Sequence, residues 1–222
     1  MSLLKFMGLD GKEITAYEAT PKGEAIGNII LLQELFGINS HIRSVADDYA
    51  SQGYHVIAPA FFDHVQQGIE MGYAQEDVKK GLELRDQLPW DLVLKDVESV
   101  CGLFKNDKKI ALLGYCWGGL LAWVGSARLN GLTAVVSYYG GGIGNYAEEQ
   151  PKCPVMCHFG ETDKLVPPAA IEKIKSNHPE TVEVHVYQAG HGFNCDQRGS
   201  FHAESAKLAR ERTLAFLKEK LA

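Results

Sequence analysis

The stretch that most limits what this chain can be is Gly114-Tyr115-Cys116-Trp117-Gly118-Gly119. Ahead of it runs Lys109-Ile110-Ala111-Leu112-Leu113, apolar and of strand length. Behind it, Leu120 to Ala127 reads as a buried helix. Strand, G-x-C-x-G, helix is the pattern of a sharp turn that lifts one side chain above the end of a sheet, with cysteine where serine is usual. Glycines flank the raised residue because a side chain there would collide with the neighbouring strand and helix. The thiol then sits over the positive end of the helix, where negative charge is favoured. A structural cysteine buried in a glycine-rich turn fits the same six residues, so the rest of the chain must decide.

Taken in order, Leu3 to Gly8 and Glu13 to Ala19 flank Asp10-Gly11, a hairpin signal. Ile26 to Leu32 is a continuous apolar run, as expected of a strand buried on both faces. Gln33-Glu34-Leu35-Phe36-Gly37 follows at its C-terminal end. Asn39 or Ser40 can cap a helix with Ile42, Val45 and Tyr49 inward, and Gly53 can end it. Tyr54 to Ala58 is the next strand, stopped by Pro59. Residues 61–88 are polar and read as a loop with a helix over the sheet. Pro89 can open a helix that turns Leu92, Val93, Val97 and Val100 inward. Leu132 to Tyr139 and Cys153 to Phe159 read as buried strands separated by Gly140-Gly141-Gly142. A helix near 168–176, a strand at Val182 to Tyr187 and a long final helix with Leu214, Leu217 and Leu221 on one face complete the chain. The expectation is an α/β fold: a mainly parallel sheet of about seven or eight strands, helices on both faces, and one domain spanning residues 1–222.

Composition narrows the function classes. A net charge of −6, with no basic cluster, argues against nucleic acid as the partner. The longest apolar stretches are too short and interrupted to span a bilayer, so no membrane association is expected. The N-terminus lacks a charged region followed by a long apolar core, so no secretion signal is read. Five cysteines, at 101, 116, 153, 157 and 195, form an odd set without C-x-x-C spacing. Cys153 and Cys157 fall four apart in an expected strand and read as core residues rather than metal ligands. Reduced thiols and a cytoplasmic location follow.

Loops at the C-terminal ends of parallel strands are where such a sheet places its chemistry. Three of them carry reactive groups: Cys116; Asp163 in Gly160-Glu161-Thr162-Asp163-Lys164-Leu165-Val166-Pro167; and His191 in Gly190-His191-Gly192-Phe193. Nucleophile, acid, histidine is the chain order of α/β-hydrolases. In those roles His191 would take or return the thiol proton and later deprotonate water, while Asp163 would fix the imidazole tautomer. A solvent-exposed Asp or His is the ordinary alternative for either residue alone; three loops agreeing in order favour the triad.

With Gln33 to Gly37, Gly114 to Gly119, Gly160 to Pro167 and Gly190 to Phe193 in view, nearly the whole chain resembles the dienelactone hydrolase family of cysteine-dependent α/β-hydrolases. The resemblance implies hydrolysis of a small ester or lactone through a Cys116 thioester. It implies Glu34 as a carboxylate that holds the resting thiol and accepts its proton, and the backbone N–H groups of Leu35 and Trp117 as an oxyanion hole. Phe36 and Phe193 would help wall the pocket. It implies no metal and no cofactor, a small-molecule partner, and a monomer or small homo-oligomer. Where the family has a substrate-gripping arginine after the histidine, this chain has Cys195; Arg198 could reach inward or pair with Asp196. A thioesterase, a general carboxylesterase, or a non-catalytic binding or redox-sensing module on the same fold are the alternatives.

Overall fold

The computed structural model describes residues 2–105 and 108–221. Two compact units divide the chain, Met1–Ile110 and Ala111–Ala222. In the first, β1 (Ser2–Met7) and β2 (Glu13–Ala19) pair antiparallel across the Asp10-Gly11 turn. There Gly11 takes φ 77° and the Lys12 N–H donates to Asp10 Oδ1 (3.1 Å). β2 pairs antiparallel with β4 (Tyr54–Pro59), and β3 (Gly27–Leu32) pairs parallel with β4. Every residue of β3 is buried, which accounts for its unbroken apolar run.

Helix α1 (Ser40–Ser51) starts at Asn39, whose Oδ1 accepts the Ile42 N–H at 3.2 Å, and the chain leaves it through Gly53 at φ 98°. Its buried side is His41, Ile42, Ala46, Tyr49 and Ala50; the expected Val45 is only half-buried. Residues 61–88 hold a 3-10 turn (Phe61–His64) and helix α2 (Gln75–Arg85). Pro89 precedes α3 (Trp90–Cys101) as expected. Val93, Val97 and Val100 are buried, but Leu92 is half-exposed while Leu94 and Asp96 turn inward.

The remaining elements are β5 (Ile110–Tyr115), α4 (Trp117–Arg128), β6 (Ala134–Tyr138), β7 (Val155–Gly160), α5 (Pro168–Asn177), β8 (Val182–Tyr187) and α6 (Ala203–Leu221). β5 to β8 pair in parallel, each with the next. The strands neighbour one another in the order β1-β2-β4-β3 in the first unit and β5-β6-β7-β8 in the second, so the mainly parallel α/β expectation holds, with eight strands among the described residues. β6 and β7 have no exposed residue, which parallel strands covered on both faces require. Cys153 lies ahead of β7, with Pro154 between, rather than inside the strand; both it and Cys157 are buried. The buried side of α6 is Ser205, Ala209, Thr213, Phe216, Leu217 and Leu221, with Leu214 half-exposed. No cysteine is in a disulfide. Among the described residues, no helix is long and apolar enough to cross a membrane.

Candidate active site

β5 ends at Tyr115 and α4 begins at Trp117, leaving Cys116 alone in the turn between them. Its backbone sits at φ 56°, ψ −115°, a region that side-chain-bearing residues rarely enter. The turn is pinned at both sides. The Cys116 N–H donates to the Tyr138 carbonyl on β6 (3.0 Å), and the Cys116 carbonyl accepts the Leu120 N–H of α4 (3.1 Å). Two glycines make this closeness feasible. A Cβ on Gly114 would overlap the Gly118 carbonyl, and one on Gly119 would overlap the Tyr138 carbonyl. The thiol is almost fully buried at the start of α4, whose first turn carries no acidic side chain to offset the helix's positive end.

Asp163 lies three residues beyond β7. Its Oδ1 accepts the Leu165 N–H at 2.8 Å, a bond that fixes the carboxylate from behind. Its Oδ2 lies 2.8 Å from Nδ1 of His191, and Nε2 of the same ring lies 3.1 Å from Cys116 Sγ. The loops that carry Asp163 and His191 brace each other. Thr162 donates both its N–H (3.1 Å) and its hydroxyl (3.0 Å) to the Ala189 carbonyl. Burial opposes a charged imidazole at His191, but the charge of Cys116 and the hydrogen bonds to Asp163 and Cys116 outweigh it. The ring is pushed up to about 10. Proximity on this scale lets a proton pass between thiol and imidazole, and the carboxylate stabilises the imidazolium that results.

The other expected residues are placed as follows. Glu34 and Leu35 follow β3 in the first unit, and Glu34 is fully buried rather than solvated. Their segment is held locally. A Cβ on Gly81 of α2 would overlap the Leu35 carbonyl, one on Gly37 would overlap the Ile69 carbonyl, and Met71 N–H bonds to Phe36 O (2.9 Å). Phe36 is buried against Tyr73, ring centroids 4.6 Å apart. Trp117 opens α4, so its N–H belongs to the turn whose donors face out of the helix end. Phe193 is fully buried beside Tyr187 (5.1 Å) and Tyr139 (5.4 Å). Arg198 lays its guanidinium over Gly192, the residue after His191, so closely that a Cβ there would touch Nη1. Sequence reasoning passed over Tyr139, whose ring meets that of His191 edge-on at 5.2 Å. The Gly140-Gly141-Gly142 run right after it was the available signal.

Residues 14–221 match the profile of the Dienelactone hydrolase family. A Synechocystis sp. protein named "Putative carboxymethylenebutenolidase" is 33% identical over 216 residues, covering 87% of this chain and 87% of that protein. The Pseudomonas putida protein named "Carboxymethylenebutenolidase" is 27% identical over 226 residues, 94% of this chain and 95% of its own. Among solved structures, one titled "Putative Dienelactone Hydrolase", from Klebsiella pneumoniae, superposes with a TM-score of 0.83 at 28% identity. It covers 97% of this chain and 98% of that one.

Proposed function

Because the chain belongs to the dienelactone hydrolase family, a family of hydrolases, we propose that it cleaves small esters or lactones through a thioester on Cys116. The observation that carries this reading is the run Asp163–His191–Cys116, with separations of 2.8 and 3.1 Å, ending on a thiol raised by a strained turn. Sγ attacks the carbonyl carbon as thiolate, forming the C–S bond and a tetrahedral oxyanion that the N–H groups of Leu35 and Trp117 receive. Collapse breaks the C–O bond, and the departing alkoxide takes the proton held on His191. His191 then deprotonates a water that attacks the thioester, releasing the acid and restoring the thiol side. Asp163 keeps Nδ1 protonated throughout. Glu34 takes the thiol proton when substrate enters and returns it to Sγ once the acid has left; its complete burial supports a role for it other than solvation.

On this reading the partner is a small neutral or anionic ester or lactone, with Phe36 and Phe193 contributing apolar bulk. Arg198, whose guanidinium lies against Gly192, is the one candidate grip for a substrate carboxylate, and weak or no preference for anionic over neutral substrates is expected. The chain works as a single α/β-hydrolase domain, a monomer or small homo-oligomer, in the reducing cytoplasm where its five thiols persist. Incubation with p-nitrophenyl acetate and with a small unsaturated lactone tests the reading. Repeated turnover of both, abolished by one equivalent of iodoacetamide at Cys116, is the expected result. Stoichiometric labelling without turnover would contradict it and favour a thiol sensor.

A further inference from the structure

Among the described residues, two besides glycine take a positive φ: Cys116 and Tyr139, the latter at 38°. A bulky aromatic residue enters that region only where its surroundings impose it. Here they do. The Tyr139 N–H donates to the His158 carbonyl of β7 (2.8 Å), and the carbonyl of Tyr138 accepts the Cys116 N–H. Gly140 lies so close to the Gly119 and Leu120 backbone of α4 that a Cβ would press against both. The turn after β6 is therefore locked to the same backbone that raises Cys116.

Its ring is fully buried and aimed at the imidazole. Tyr139 and His191 meet edge-to-face, centroids 5.2 Å apart at 65°. Phe193 is itself edge-on to Tyr139 at 5.4 Å. Two residues on, the Cβ position of Gly141 is 3.9 Å from His191 Cε1. Two hydrogen bonds alone leave an imidazole some freedom of rotation, because its χ2 torsion is broad. A fixed aromatic neighbour removes that freedom without competing for either ring nitrogen.

We infer that Tyr139 is a positioning residue for His191: the positive-φ turn fixes its ring, and the ring fixes the imidazole with Nε2 toward Cys116 and Nδ1 toward Asp163. The kinetic consequence rests on the hydrolase reading above; the orientation does not. The aromatic ring, rather than the hydroxyl, carries the effect.

Tyr139→Leu removes the aromatic ring, Tyr139→Phe keeps it, and Tyr139→Asn removes it while accepting positive φ readily. Thermal melting first identifies which variants are folded. The His191 titration midpoint is then read from its Hε1 resonance, and kcat and KM are measured on p-nitrophenyl acetate. In the folded ring-less variants the midpoint should fall from about 10 by at least about one pH unit, as the contacts that raise it loosen. Turnover should drop about tenfold or more with KM within about twofold, since orientation rather than binding is lost. Tyr139→Phe should restore the parent values. An unmoved midpoint in a folded ring-less variant, or a fall in Tyr139→Phe equal to that in Tyr139→Leu, would overturn the inference. A parent that turns over no ester while the midpoint still falls in the ring-less variants would remove the hydrolase reading and support the positioning role.

Discussion

His191 is the residue whose state reports the whole arrangement. Burial alone would keep it neutral, yet the charge of Cys116 and the bond to Asp163 hold it protonated up to about 10. The folded value lies above the ordinary imidazole value of about 6.5, so its contribution to stability is complete below about 6.5 and is lost as pH rises through about 10. Since the charge of Cys116 is the largest favourable contribution, Cys116→Ala should bring the His191 midpoint down. An NMR titration checks this; a midpoint that stays near 10 in Cys116→Ala would mean the thiol does not act on the ring. Cys116, Asp163 and His191 were singled out in the sequence as candidates because each follows a strand and sits among glycines or turn formers, and their side chains meet at 2.8 and 3.1 Å. Tyr139 was not. Tyr138-Tyr139 reads as the end of a buried strand, and only the Gly140-Gly141-Gly142 run that follows signals a turn there.

At the scale of elements, the strands of the sheet were legible to within about two residues at their ends, because parallel burial writes itself as unbroken apolar runs. Within residues 61–88 only a loop with one helix was legible, because their anchors lie far away in sequence. Asp63 accepts the Thr15 N–H (2.9 Å) and hydroxyl (2.6 Å) through one oxygen and the Gly68 N–H (3.2 Å) through the other. Next to it, His64 joins three segments of the first unit. Its Nε2 meets Asp96 of α3 at 2.6 Å and its Nδ1 meets Asp10 of the hairpin turn at 3.0 Å. Asp96 also explains why the inward side of α3 departs from the simple valine stripe. Burial opposes the charged form of His64, and its two carboxylate partners outweigh that and raise it. Burial raises Asp96 as well. Removing the imidazole would strand a fully buried carboxylate. His64→Leu should therefore cost about 3–5 kcal/mol in urea unfolding at neutral pH, with the deficit shrinking toward acid pH as Asp96 takes up a proton. A loss below about 1 kcal/mol at neutral pH would show the cluster to be energetically idle.

For the whole molecule, the chain divides into two compact units, while the family profile runs through both, from residue 14 to residue 221. A single domain in the functional sense should unfold as one. Trp90 lies in the first unit and Trp117 and Trp123 in the second, so Trp117→Phe/Trp123→Phe and Trp90→Phe variants report each unit separately. Their fluorescence transitions in urea should coincide with each other and with loss of helical circular dichroism. Separated midpoints would contradict the single-domain reading.

The thioester on Cys116 is the central claim, and it can be seen directly. The protein is mixed with p-nitrophenyl acetate, quenched in acid within the first turnover, digested and mapped by mass spectrometry. The expected result is an acetyl group on the peptide carrying Cys116, sensitive to hydroxylamine, with Cys101, Cys153, Cys157 and Cys195 unlabelled and no turnover in Cys116→Ala. Acetyl on a different residue together with retained turnover in Cys116→Ala would contradict it.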